Sequence, residues 1–431
     1  MNSQEIRDKH KKHLFEAVKN FYQEPVVITE AKGTRVSDMD GNSYLDFFGG
    51  ILTVSVGHAN EEVNDAVIAQ VNHLTHISSL YPTVPVVELA ERLARIAPGN
   101  LEKVFFNASG TEANETAVMM AQLHSGNSEL IALRHGYSGR SLLAQSLTAQ
   151  ASWRALPTQV SAVKHAVAPY CYRCPLKLSY PECGVACAED VDELIRTTTT
   201  GQVAGILVEP IMGVGGFITP PEEYFKIVAE IVRNYGGVFI SDEVQTGFGR
   251  TGKRWGIEHY GVEPDMITVA KGIANGMPLA AVVTTQEIAS TLTKNTISTF
   301  GGSPVSCAAA NATIDIIERD NLKDNSAEMG KILRDGLEGL KEKFPKVIGE
   351  VRGKGLMQGI ELVKDETTGD RTPNVAAADQ LMEETKKRGL FIGRGGLYGN
   401  SMRISPPLVI TKAEVEEAIG IIDDSFKAMN V

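Results

Sequence analysis

No stretch of the 431-residue chain is apolar for long enough to cross a bilayer, and basic residues are in deficit: 42 Lys and Arg stand against 53 Asp and Glu, a formal net charge of -11. The first absence argues against a membrane-spanning helix. The second removes any general attraction to phosphate backbones or anionic lipid surfaces, so neither nucleic acid nor a membrane is expected as a partner. The opening MNSQEIRDKHKKHLFEAVKN mixes acids, bases and histidines at helical spacing and lacks the apolar stretch of a secretory signal. The five cysteines are therefore expected to stay reduced, in a cytoplasm. There is also no internal repeat, no low-complexity tract and no long linker.

What remains is an ordinary globular composition, 43% hydrophobic and 22% charged, in a chain too long for one small core. Two tightly joined lobes are the expectation. Residues 26–48 alternate apolar and polar positions around the turn dipeptide Asp40-Gly41 and read as a small β unit. From about residue 59 helical stretches alternate with short apolar runs, VFFNAS, ELIALRH, VAGILVEP, GGVFISDEV, MITVAKG and AAVVTT, which suit strands buried on both faces of a parallel sheet. After the helix-like SPVSCAAANATIDIIERD come a charged amphipathic helix over 326–344, the short strands GLMQGIELV, LFIGRGG and SMRISPP, and a closing helix from Thr411. The fold class is α/β: a large domain (59–311) with a mostly parallel sheet covered by helices, and a smaller α+β domain (312–431) that the N-terminal segment (1–58) joins.

Ligands of open parallel sheets bind beyond the carboxyl ends of the strands, and three of those ends carry charge. VAGILVEP ends in Glu209, GGVFISDEV contains Asp242 and Glu243, and MITVAKG ends in Lys271. A charge in such a place is costly to bury unless it is paired or used. Taken alone, Lys271 could also be a phosphate-binding lysine or a snorkelling surface residue. With Asp242 on the preceding strand it suits pyridoxal 5'-phosphate (PLP): a lysine amine forms a Schiff base, and an aspartate keeps a pyridine nitrogen protonated so that the ring accepts electrons. Lys271, once displaced by substrate, is then the group to carry a proton between Cα and the cofactor.

A phosphate site is expected on the same edge. Ser109, Gly110 and Thr111, in VFFNASGTEANETAVMMAQ, fall at a helix start where unpaired N–H groups favour an anion, although simple capping by Ser109 or Thr111 explains the same residues. Tyr137, in RHGYSGRS, sits on a glycine-flanked turn where its ring can stack on a flat cofactor or merely pack. The VGGF and GRGG stretches lack the spacing of a dinucleotide fingerprint.

The segments DMDGNSYLDFFGGI, ASGTEANETA, HGYSG, VEPIMGVGG, SDEVQTGFGRTG, AKGIANGMPLAAV, TFGGSPVSCAAA and MRISPPL, in this order over nearly the whole chain, resemble the class III (ω-amino acid) aminotransferases of PLP fold type I. Within that family the chain is most similar to the alanine–glyoxylate aminotransferase 2 group. The resemblance implies that Gly110 and Thr111 hold the cofactor phosphate, Tyr137 stacks on the ring, Asp242 pairs with the ring nitrogen and Lys271 is the Schiff-base lysine. It places Gln245 near the ring hydroxyl and makes Glu209 a brace of this network. Thr299, in TFGG, matches a threonine that reaches the phosphate of the neighbouring subunit, which implies a homodimer sharing its active sites, with a tetramer left open. Arg403, in MRISPPL, matches an arginine that grips the substrate carboxylate, where a surface strand arginine is the other reading. Tyr81, in SSLYPT, matches an aromatic residue at the substrate entrance.

One departure bears on substrate. Ornithine and 4-aminobutyrate enzymes of this family read EPIQGEAG, whose second glutamate neutralises the carboxylate-binding arginine; this chain reads EPIMGVGG, with Val214 there. The implied activity is a transaminase that moves an amino group from a small amino acid or ω-amino compound to pyruvate or glyoxylate, by a ping-pong mechanism through pyridoxamine phosphate. A PLP-dependent lyase or phospholyase on the same fold is the alternative, and an inert binding protein on this scaffold is a third reading. The segment CYRCPLKLSYPECGVAC places Cys171, Cys174, Cys183 and Cys187 at a spacing that suits zinc or an iron–sulfur cluster, or four thiols that pack or form a labile disulfide; no metal is assigned to the active site. Arg173 within it either faces the substrate or serves the loop, and Cys307 is read as a packing residue.

Overall fold

The computed structural model describes residues 1–429. Seven strands form the central sheet, in the order Lys103–Asn107, Ala280–Thr284, Met266–Val269, Val238–Asp242, Gly205–Val208, Leu130–Leu133 and Val163–Ala166. Five of them pair in parallel, and Ala280–Thr284 runs antiparallel to both of its neighbours. The inner strands are buried along their whole length, because helices cover both faces and leave no solvent side for polar alternation. The apolar runs therefore all became strands, but AAVVTT joined as the antiparallel member. The edge strand Val163–Ala166 has no such signature, since Lys164 and His165 interrupt it.

A second sheet of eight strands draws on both ends of the chain. Ile28–Lys32, Arg35–Asp38 and Ser43–Phe47 form a meander with turns at Gly33 and at Asp40-Gly41, one turn more than the alternation suggests. Ser43–Phe47 pairs in parallel with Leu390–Gly395, which leads to Ser401–Ile404, Met357–Asp365 and Ile348–Lys354, while Asp370–Pro373 pairs with Met357–Asp365. The helix Pro304–Arg319 starts with Pro304 in its first turn, where a missing N–H costs nothing, and packs on Glu61–His73 and Val84–Ile96. The long helix Leu322–Lys343 begins four residues earlier than its charge pattern suggests, and the closing helix Lys412–Ala428 is capped by Thr411, whose hydroxyl and the Glu414 carboxylate bond reciprocally to the first-turn amides. No helix among the described residues is long and apolar enough to cross a membrane.

Candidate active site

The carboxyl ends of the central strands open onto a cavity of about 320 Å³, large enough for a small heterocyclic phosphate. Ser109, Gly110, Thr111, Tyr137, Glu209, Asp242, Gln245 and Lys271 all line it. At its floor, Asp242 ends the strand Val238–Asp242 and is 4% exposed. One carboxylate oxygen accepts from the Val244 amide at 3.0 Å and the other from Asn114 Nδ2 at 2.8 Å. Burial pushes its pKa up, against the pull of these donors and of the Lys271 ammonium.

Asn114 was not singled out by sequence. It sits one turn into the helix Gly110–Ser125, gives a second bond to the Ser138 carbonyl at 3.0 Å and accepts from Thr268 Oγ1 at 2.7 Å. Thr268 is the strand neighbour of Asp242, so helix and sheet are both tied to the carboxylate. This fixes which end of the Asn114 amide donates, because a flip would set its oxygen against the Ser138 carbonyl and the Asp242 carboxylate, both acceptors.

Lys271 follows the strand Met266–Val269 at the start of a short helical turn, with a positive φ of 46° that is uncommon for a side chain of this size. Its remaining exposed surface faces the cavity. Burial lowers the Lys271 pKa, while Asp242 and Glu209 hold it up and Arg403 lowers it further. Glu209 is gripped by the amides of Tyr137 at 2.9 Å and Gly213 at 2.8 Å, and burial beside Asp242 pushes its carboxyl to about 8. Two buried acidic groups beside one amine, with the Glu209 proton held tightly and Asp242 bonded to two donors, leave Asp242 as the counter-charge for a protonated ring nitrogen.

The upper rim suits a phosphate. Ser109 is the N-cap of the helix Gly110–Ser125 and its hydroxyl is committed to the Glu112 amide at 3.3 Å, so capping and anion binding divide between the side chain of Ser109 and the free first-turn amides. A Cβ at Gly139 would run into Thr111, which brings the turn after Tyr137 against the same helix start. Tyr137 meets Trp153 edge to face at 5.6 Å on the outer side. Gln245 is buried, and its Oε1 has no protein partner while it lines the cavity, an acceptor fit for a ring hydroxyl. Anion seat, aromatic wall, acceptor, carboxylate and amine together fit PLP without a rearranged side chain.

Arg403 stands outside this cavity but beside it. It is 5% exposed on the strand Ser401–Ile404, lies over the rings of Phe48 and Phe217 at 4.8 and 5.7 Å, and donates only to the carbonyls of Arg394 at 3.2 Å and Gly213 at 3.4 Å. Burial lowers its pKa to about 10, with the charge of Glu209 opposing. Among the described residues no carboxylate forms an ion pair with it, and Val214 spends its carbonyl on the Gly396 amide at 2.9 Å. The Phe48 end of the pocket is set by four successive residues of positive φ, Gly49 (55°), Gly50 (60°), Ile51 (65°) and Leu52 (59°), anchored where Asp46 accepts from the Phe48 and Gly49 amides. Sequence gave no sign of that left-handed segment beyond its two glycines.

Tyr81 and Thr299 are not brought to the cavity within one chain; both are exposed. Arg173 serves the loop: it pairs with Glu361 and lies over Tyr172 and Tyr398 at 5.5 Å each. Cys171, Cys174, Cys183 and Cys187 are free thiols around one small cavity shared with Leu176 and Leu178, and among the described residues no group of three or more His, Cys, Asp or Glu side chains is arranged to hold a metal. Cys307 is buried in the core.

The family model for class-III aminotransferases matches residues 17–426. Among curated proteins, the chain is 41% identical over 425 residues to the mitochondrial alanine–glyoxylate aminotransferase 2 homolog 2 of Arabidopsis thaliana, covering 98% of this chain and 87% of that protein. It is 38% identical over 433 residues to mitochondrial alanine–glyoxylate aminotransferase 2 of Homo sapiens, covering 96% and 84%. Among solved structures, the PLP-bound form of an amine transaminase from an uncultivated Pseudomonas species superposes with a TM-score of 0.88 at 30% identity, covering 96% of this chain and 98% of that one. The chain belongs to the class III aminotransferases, and its cofactor is pyridoxal 5'-phosphate.

Proposed function

We propose that this enzyme transfers the amino group of a small amino acid or ω-amino compound to a small oxo acid, pyruvate or glyoxylate, in two half-reactions of ping-pong type. The observation that carries this reading is Arg403: a buried guanidinium beside Lys271 with no carboxylate partner among the described residues, and therefore open to the carboxylate of every substrate that enters. The names of the two alanine–glyoxylate relatives agree with a small acceptor.

When bound, PLP supplies the electron sink that makes a substrate Cα–H acidic. Lys271, whose lowered pKa favours the free amine, holds the cofactor and then moves the proton at Cα. Asp242, fixed by Asn114, holds the proton on the ring nitrogen, and Glu209 braces Tyr137 against the opposite wall. Gly110 and Thr111 seat the phosphate, and Gln245 accepts from the ring hydroxyl. Thr299 lies on an exposed turn flanked by Ile297 and Phe300, 54% and 64% exposed, and Leu80 shares a groove with Ile297. This apolar margin supports a homodimer in which Thr299 and Tyr81 serve the neighbouring site. The test is a single-turnover absorbance scan of the holoenzyme against amino donors, followed by pyruvate, glyoxylate or 2-oxoglutarate, with Lys271→Ala as control. Donor-dependent loss of the cofactor's visible band, reversed by pyruvate or glyoxylate, is expected. Release of ammonia or phosphate without an oxo acid, or preference for 2-oxoglutarate, overturns the reading.

A further inference from the structure

We infer that Arg352 is a positioning residue for substrate carboxylate binding, acting through Arg403; the inference rests on the transaminase reading above. Arg352, on the strand Ile348–Lys354, is 5% exposed and does not line the cofactor cavity. Its guanidinium instead joins the turn 213–216 to the strand that carries Arg403. Nε donates to the Gly216 carbonyl at 2.8 Å, at the end of the turn 213–216, and Nη2 donates to Ser401 Oγ at 3.0 Å, two residues before Arg403. Nη1 donates to Glu361 at 2.6 Å and to Glu350. Gly216 has a φ of 92°, and a Cβ there would stand 2.7 Å from Ser401 Oγ and 3.3 Å from Arg352 Nη2, so turn and strand approach as closely as backbone allows.

Apart from the rings of Phe48 and Phe217, Arg403 has few anchors of its own. Its two protein bonds are long, 3.2 and 3.4 Å, and both go to backbone carbonyls, one of them Gly213 at the other end of the same turn. Its aim therefore follows where the turn and the strand are placed. Arg352 sets both at once, with a rigid fork that an ammonium cannot reproduce. The fork is itself held still: Glu361, fully buried, also accepts from Tyr170, Arg173 and the Asn400 amide, and the Tyr170 ring lies 5.1 Å under the Arg352 guanidinium. The loop that carries the cysteine cluster thereby enters the site's support, since Tyr170 and Arg173 flank Cys171.

The experiment is steady-state kinetics of the holoenzyme variants Arg352→Lys and Ser401→Ala, with Arg403→Met as reference. Arg352→Lys is expected to raise the KM for pyruvate or glyoxylate about 10-fold, the loss of roughly one charge-assisted contact, with kcat within about threefold of wild type. A primary amine donor that lacks a carboxylate is expected to keep its KM. Ser401→Ala, which removes one link and leaves the buried ion pairs, is expected to raise the oxo-acid KM about threefold and decides the matter if Arg352→Lys does not fold. An unchanged oxo-acid KM in the folded variants, or equal losses for acids and plain amines, overturns the inference. If Arg403→Met itself leaves the oxo-acid KM unchanged, the failure belongs to the reading of Arg403 and not to Arg352.

Discussion

Replacing Asn114 with leucine tests the active-site floor without touching a charged residue. The side chain keeps its size, so the 2%-exposed site stays filled, but three hydrogen bonds go: to Asp242 at 2.8 Å, to the Ser138 carbonyl at 3.0 Å and from Thr268 at 2.7 Å. A hydrogen bond to a buried ionised group contributes about 1.5–3 kcal/mol, and that contribution acts only on the carboxylate form of Asp242. Lost from the catalytic step, it corresponds to a kcat about 10–150-fold lower. The sign of the pH effect follows. Burial already raises the Asp242 pKa and the Asn114 donor lowers it, so removing the donor raises it further. Fewer molecules then carry the carboxylate at a given acidic pH, and the acid limb of the kcat profile moves to higher pH. The abandoned Ser138 and Thr268 groups each cost about 1–3 kcal/mol of stability, visible as a lower thermal midpoint. Steady-state kcat against pH, at saturating donor and acceptor, measures the effect. A kcat within threefold of wild type with an unmoved acid limb would refute the assignment of Asp242 as the ring-nitrogen partner.

Three further outcomes follow from the same geometry. Arg403→Met is expected to raise the KM for oxo acids about 10–100-fold while plain amines are spared, since one charge-assisted pair is lost and the cofactor floor is untouched. Capture of PLP by the apoenzyme, followed by borohydride trapping, is expected to accelerate with rising pH around a midpoint below the 10.5 of an ordinary lysine, because only the free amine adds and burial lowers the Lys271 pKa. In Asp242→Asn that midpoint is expected lower still, as a carboxylate that holds the ammonium is gone, and an upward move would contradict the placement of Lys271. Gly213→Ala sets a methyl group on the Gln245 amide, and weakened cofactor retention of about 10-fold is expected in gel filtration of the holoenzyme.

How much of this was legible in the sequence divides along a physical line. The strand ends at Glu209, Asp242 and Lys271 stood out because a charge closing an apolar run needs a partner, and the structure gathers all three on one cavity. The start of the last helix at Thr411 was legible for an equally local reason, a side chain that caps the helix within three residues, as the structure shows with Glu414. Asn114 and Arg352 were silent. An asparagine in the first turns of a helix and an arginine in a strand look ordinary, and their partners lie up to 154 and 136 residues away in the chain. The strand Val163–Ala166 was missed because it is an edge, where Lys164 and His165 are tolerated, and the direction of Ala280–Thr284 was missed because burial on both faces erases alternation whichever way a strand runs. Of the readings that the cysteine spacing left open, the structure shows thiols that line an apolar crevice, while the neighbouring Tyr170 and Arg173 make the contacts that reach Glu361.

That division has a consequence for substrate choice. The residues that handle the amino group and the cofactor come from the central sheet, and the residue open to a carboxylate comes from the second sheet. The two meet through the turn 213–216, whose ends are bonded to Glu209 on one side and to Arg352 on the other, and whose four residues are three glycines and a valine. With no acidic side chain on the turn, only the long bond from Arg403 to the Gly213 carbonyl engages the guanidinium there. A single acidic side chain at Val214 would change that without disturbing Lys271 or Asp242, because the carbonyl of Val214 already lies against Gly395 and Gly396, next to the Arg403 guanidinium. The small-acceptor preference proposed above thus rests on one backbone turn, at a distance from the groups proposed to move the proton.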